Sequence, residues 1–68
     1  MTNTKFEQGM ALRQEIAAAV AEGVFSPNGI KKYLIENGWK YDLPSRPTVE
    51  KILRDNGVSF IEGYWTKA

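Results

Sequence analysis

The sequence predicts a mainly α chain, a three-helix bundle completed by a C-terminal two-stranded β-hairpin. Three observations carry that prediction. Apolar residues recur with helical spacing in three segments, each bounded by start and stop signals. After Gly57 the pattern changes to period two, in Val58-Ser59-Phe60-Ile61 and again in Tyr64-Trp65-Thr66-Lys67. Between those runs stands Glu62-Gly63, a two-residue connection ending in Gly, which reads as a hairpin turn.

The first helix is expected from Lys5 to about Glu22. Thr4-Lys5-Phe6-Glu7 has the spacing in which a Thr hydroxyl accepts from the third helical N–H while the Glu reaches back. At 100° per residue, Phe6, Leu12, Ile16, Ala17, Ala19 and Val20 fall on one side, with Glu7, Gln14, Glu15 and Glu22 on the other. Arg13 lies within the apolar arc, where its methylenes can cover the core edge while the guanidinium reaches water. Gly23 ends the helix, and Val24-Phe25 is a brief extended segment.

Ser26-Pro27 starts a second helix over about 27–37, because Ser caps orphan N–H groups and Pro at the first position loses a donor that lacks a partner anyway. Ile30, Tyr33 and Leu34 point inward, Lys32 and Glu36 form an exposed pair, and Asn37-Gly38 supplies the exit. Ile35 falls off the stripe and is expected to meet the following loop. Residues 39–44 are rich in aromatics for a linker, so Trp39 or Leu43 should fold back onto the core. Ser45 is expected to cap a third helix of about 46–56 that tolerates Pro47 in its first turn, buries Val49, Ile52 and Leu53, and stops at Asn56-Gly57. In the hairpin, pairing Ile61 with Tyr64 and Phe60 with Trp65 puts Val58, Phe60 and Trp65 on one face, able to cover the helices.

Composition bounds the function. The chain has 68 residues, nine Lys or Arg and eight Asp or Glu, for a formal charge of +1, with no His and no Cys. It reads as a single domain over 1–68, too small to enclose a substrate cleft with its own supporting shell. Without Cys or His it has no disulfide, zinc finger, thiolate nucleophile or imidazole base, and no spacing places paired carboxylates in a dry pocket, so a non-catalytic role without cofactor or metal is expected. No apolar run reaches the roughly 20 residues of a membrane span, and the start has no signal-peptide pattern. These features, with the missing cysteines, point to a cytoplasmic chain. The net charge is −1 over residues 1–30 and +2 over 31–68, a mild asymmetry.

The order helix, short extended segment, helix, loop, helix, hairpin resembles the winged helix-turn-helix family over nearly the whole chain. The segment Ser45-Arg46-Pro47-Thr48-Val49-Glu50-Lys51-Ile52-Leu53-Arg54-Asp55-Asn56-Gly57-Val58 carries most of the likeness, as it looks like the third helix of such domains running straight into the wing. Val24-Phe25 would then be the short first strand that extends the wing sheet. The connection from Gly38 to Ser45 departs from the tight turn of simple helix-turn-helix proteins by its length.

The resemblance implies sequence-specific binding of double-stranded DNA, with the third helix in the major groove. The outward stripe of that helix is Pro47, Lys51 and Arg54, flanked by Thr48 and Glu50. Lys and Arg can donate to guanine O6 and N7, Thr can touch a thymine methyl, and Arg46, next to Ser45, lies close to phosphates. Lys31 and Lys32, with Ser26 and Asn28, sit early in the second helix, where N–H groups suit a phosphate oxygen. Lys40 and Tyr41 in the 38–45 loop, and Tyr64 and Lys67 in the wing, are placed as the backbone-gripping residues of such domains are. Glu62 at the wing tip opposes a strong phosphate grip there. A lone module of charge +1 binds duplex weakly, which points either to a homodimer or to the N-terminal reading head of a larger protein such as a replication initiator, nuclease or transcription regulator. The competing expectation is a protein-interaction module using an exposed patch of Trp39, Tyr41, Ile61 and Tyr64.

Overall fold

The computed structural model describes residues 4–68, with side chains from residue 5 onward. Three helices, α1 (Thr4–Ala21), α2 (Pro27–Glu36) and α3 (Arg46–Asp55), are followed by strands β1 (Val58–Ile61) and β2 (Tyr64–Lys67). The mainly α bundle with a terminal hairpin is therefore the architecture of the chain. Each helix packs on the other two, while the hairpin joins them through β1 against α3. The core is Leu12, Ile16, Ala19 and Val20 of α1, Ile30 and Leu34 of α2, Val49, Ile52 and Leu53 of α3, and Val58 at the base of β1.

The first helix departs from expectation at two positions. Phe6 is 63% exposed and Ala17 is also exposed, so neither joins the core assigned to it from periodicity. Length explains Phe6: α1 has 18 residues against 10 in each of α2 and α3, about 27 Å against about 15 Å at 1.5 Å per residue. The core residues of α1 accordingly begin only at Leu12. Arg13 is exposed, and the reciprocal cap drawn from Thr4 rests on a side chain outside the described residues.

Helix ends follow from local chemistry. At the end of α1, Gly23 N–H donates to Val20 O (3.0 Å) and Val24 N–H to Ala19 O (2.9 Å), with Gly23 at φ +91°. This is the paired-bond termination that a residue able to enter left-handed space permits. It also overturns the strand expected at Val24-Phe25: the sheet contains β1 and β2 alone, and Val24 has already given its amide to the helix end. Val24 and Phe25 instead pack, half-buried, against the core. Gly38 N–H to Ile35 O (3.2 Å) and Trp39 N–H to Leu34 O (2.9 Å) repeat the motif after α2.

Ser26 caps α2 as expected, its Oγ accepting from Gly29 N–H at 3.0 Å. Gly29 is required there, since a Cβ would lie 2.9 Å from Ser26 Oγ and 3.0 Å from Val24 Cγ1. Ser45 does not cap α3 with its side chain: it has the extended backbone of a cap residue, but its hydroxyl lies 3.0 Å from the Thr48 hydroxyl instead. Trp39 rather than Leu43 folds back onto the core, and Ile35 is exposed instead of meeting the loop.

The hairpin has the expected antiparallel register, Ile61 opposite Tyr64 and Phe60 opposite Trp65, with Val58 opposite Lys67. Glu62 (φ 52°) and Gly63 (φ 89°) are both left-handed, as a type I′ turn demands. Phe60 and Trp65 meet edge to face with centroids 5.2 Å apart. Of the face expected to cover the helices, Val58 is fully buried and Trp65 half-buried, but Phe60 remains 57% exposed. Its cross-strand partner Trp65 takes the place against the core at that level, and Phe60 packs on the edge of the Trp65 ring instead.

Candidate nucleic-acid interface

On α3 the apolar residues Val49, Ile52 and Leu53 are buried, which fixes the rotation of the helix. The opposite edge consequently faces water: Pro47, Thr48, Lys51 and Arg54 are all exposed. Pro47, Lys51 and Arg54 lie at i, i+4 and i+7 within one stripe. Among the described residues, neither Lys51 nor Arg54 has a carboxylate within salt-bridge distance. Their charges are therefore uncompensated by direct pairing.

Arg46 is arranged differently. Its Nε donates to Glu50 Oε2 at 2.9 Å, an i, i+4 pair in which Glu50 is largely covered. The contact holds the guanidinium along the flank of α3 while both Nη amines remain able to donate outward. Glu50 is thus occupied by Arg46 rather than standing as an independent acid beside Lys51. The i, i+4 spacing was legible in the sequence; the choice of partner was not, because Arg54 lies at the same separation on the other side of Glu50.

Among the described residues, no hydrogen bond, ion pair or ring contact joins the remaining candidates to this edge. Lys32 pairs loosely with Glu36 at 3.9 Å, both side chains well exposed, and Lys31 is half-buried beside it. Lys40 places its ammonium 5.9 Å from the centroid of the Tyr41 ring, and Tyr41 meets Trp39 edge to face at 5.1 Å. Trp39 Nε1 in turn donates to Asp42 O at 3.1 Å, so the 38–45 loop is braced by its own aromatics. Tyr64 at the hairpin tip and Lys67 at its base are both exposed but occupy opposite faces, because they lie an odd number of residues apart on one strand. A flat ligand surface meets one of them at a time.

A polar contact away from this edge was invisible to local pattern. The Tyr33 phenol is raised above its ordinary pKa, first by the Glu22 carboxylate acting as hydrogen-bond acceptor, then by burial and by the negative charges of Glu22 and Glu15. It bridges the end of α1 to the middle of α2, and only tertiary packing brings those residues together. Among the described residues no helix is long and apolar enough to cross a membrane, and no group of three or more metal-ligating side chains gathers. Comparison with protein-family models, curated proteins and solved structures found no match.

Proposed function

We propose that this chain is a winged helix-turn-helix domain that reads double-stranded DNA with α3 in the major groove, and that it acts without catalysis. The observation that carries the reading is the edge of Pro47, Lys51 and Arg54, exposed, unpaired and held in place by a buried opposite face. A helix of this width enters the major groove, where Lys51 and Arg54 donate to guanine O6 and N7 and Thr48 contacts a thymine methyl. Ser45 and Arg46 lie at the start of α3, so the Arg46 Nη amines serve a phosphate. Lys31, Lys32, Lys40 with Tyr41, and either Tyr64 or Lys67 of the wing supply backbone contacts that set register without reading sequence. With a formal charge of only +1, a single copy binds modestly, and a second reading head, from a homodimer or a larger protein, raises occupancy through effective concentration.

The reading is tested by duplex binding against salt. Each phosphate neutralised contributes a slope of about −0.9 in log K against log salt concentration, so affinity should fall steeply as salt rises. Binding that is absent at low salt, or indifferent to salt, contradicts it.

A second reading is favoured by the hairpin's outer face, where Ile61 is 54% and Tyr64 74% exposed. Exposed apolar and aromatic surface of this kind suits a protein partner. Trp39 and Tyr41 contribute less than the sequence suggested, since both are half-buried in the loop. Sedimentation across a concentration series checks whether that partner is a second copy: association lost on Tyr64→Ser supports the face as an interface.

A further inference from the structure

Opposite walls of a groove of about 390 Å³ run between the middle of α1 and the turn that follows α2. It is lined by Ala11 and Glu15 of α1, by Leu34 of α2 and by Trp39, Lys40 and Tyr41 of the segment after it. The small residues are what open it. Around Glu15, the i−4, i+3 and i+4 positions of α1 are Ala11, Ala18 and Ala19 and the i−3 position is the buried Leu12, so no helical neighbour offers a cation to the carboxylate. Among the described residues, Glu15 has no basic group within salt-bridge distance, although it is half-buried. Across from it, Trp39 and Tyr41 meet at 67° between ring planes, forming an aromatic corner. Lys40 also lines the groove with its ammonium over the Tyr41 ring, so this exposed side chain has to swing aside for another cation to stack there.

The geometry points to a binding site for an arginine side chain of a partner polypeptide, seated between Glu15 and the Trp39–Tyr41 corner. A carboxylate and an aromatic face are the two features a guanidinium uses at once: the planar fork donates to the acid, and the delocalised cation stacks on a ring. The groove is the size of a small-molecule or side-chain pocket and is open along one side, as a group presented on a chain requires. Glu15 supplies the negative charge that attracts a cation, and Ala11 and Leu34 are apolar lining against which its methylenes can lie. This surface uses no residue of the α3 edge, but it shares Lys40 and Tyr41 with the proposed backbone contacts, so an arginine seated here competes with a duplex gripped by that loop.

The test is NMR titration of the full chain with a blocked Gly-Arg-Gly tripeptide, following the indole N–H signals of Trp39 and Trp65. The Trp39 signal should move saturably in the millimolar range while Trp65, across the molecule in the hairpin, stays in place. The same tripeptide with citrulline, an isostere without the charge, should leave Trp39 unmoved. Glu15→Gln, which keeps the shape and helix preference, should weaken binding about tenfold. Equal shifts with arginine and citrulline, equal shifts at both tryptophans, or undiminished binding by the Glu15→Gln variant would each overturn the proposal.

Discussion

The helices and the hairpin are held in different ways. Within the bundle, Ile16, Ile30, Leu34, Val49 and Leu53 are fully buried, each surrounded by side chains of the other helices. In the hairpin, Val58 alone is fully buried; Phe60, Ile61 and Tyr64 stand in solvent, and the strands are fixed by their own ladder, by the Phe60–Trp65 pair and by Ala68 N–H donating to Gly57 O at 2.8 Å. The bundle is thus specified by packing, which is costly to disturb, and the hairpin by register and turn geometry. Two-stranded ribbons are marginal by themselves. Anchorage at Val58 lets this one project from a bundle whose stability does not depend on its tip.

Breaking the bundle should have the largest effect. Leu34→Ala removes a fully buried side chain and should cost about 2–5 kcal/mol, much of the stability of a domain this small, which is about 3–10 kcal/mol. Phe60→Ala should cost only about 1 kcal/mol, chiefly the lost aromatic pair. Urea denaturation of both variants checks the contrast; equal losses would show that the hairpin folds as part of one continuous core.

The next effect in size separates stability from recognition on α3 itself. Lys51→Ala and Arg54→Ala should each reduce discrimination at one base pair by about 1–3 kcal/mol, whereas Lys32→Ala should weaken all duplexes alike. None of the three should lower stability by more than about 0.5 kcal/mol, because all three side chains are exposed. Binding isotherms on substituted duplexes, paired with thermal melts, distinguish the two.

Helix ends come third. Asn56 Nδ2 donates to Ile52 O at 2.8 Å, on the boundary between α3 and the hairpin. Asn56→Ala should cost about 1 kcal/mol and loosen the junction, seen as faster amide exchange in β1. Glu62→Asn should act in the opposite direction by about 0.5 kcal/mol, since Asn accepts the left-handed backbone that Glu62 occupies at φ 52° with more strain. The same change removes an acid from the tip, so duplex affinity should rise as the hairpin becomes more stable.

How much of this was readable in sequence depends on the range of the interaction. The α3 stripe and the hairpin register follow from periods of 3.6 and 2, and the Ser26 cap and the Gly23, Gly38 and Gly57 exits from single residues, so local pattern sufficed. Phe6 failed because periodicity gives the side of a helix and says nothing of whether another element covers that turn, and Ala17 because it lies at the edge of the arc beside the buried Ile16 and Ala19. Val24-Phe25 failed because the helix-termination bond to Ala19 O takes the Val24 amide that strand pairing would need. Ser45 has the right backbone, yet its hydroxyl found Thr48 instead of the helix N–H groups. The edge of α3 was legible as a placement, the Arg46–Glu50 pairing only in part, and the groove beside Glu15 not at all, since it is made by residues of α1 and the α2 exit that are over 20 positions apart in the chain.

Smallest is a pH effect at the α1–α2 joint. The folded state favours the neutral Tyr33 phenol through its bond to Glu22, so its contribution to stability is full below the phenol's ordinary value, near 10, and is lost as pH rises through the higher folded value. Denaturation between neutral and strongly alkaline pH should therefore show a decline that Tyr33→Phe makes shallower; an unchanged decline would remove Tyr33 from the account.

The claim on which the functional reading depends is that Lys51 and Arg54 face bases. Selection of bound duplexes from a random pool, run in parallel on the unaltered chain and on Lys51→Ala, tests it most directly. The account predicts an enriched motif containing guanine, with loss of preference at one position in the variant and the remaining positions intact. Recovery of no motif, or of the same motif from both proteins, would contradict it.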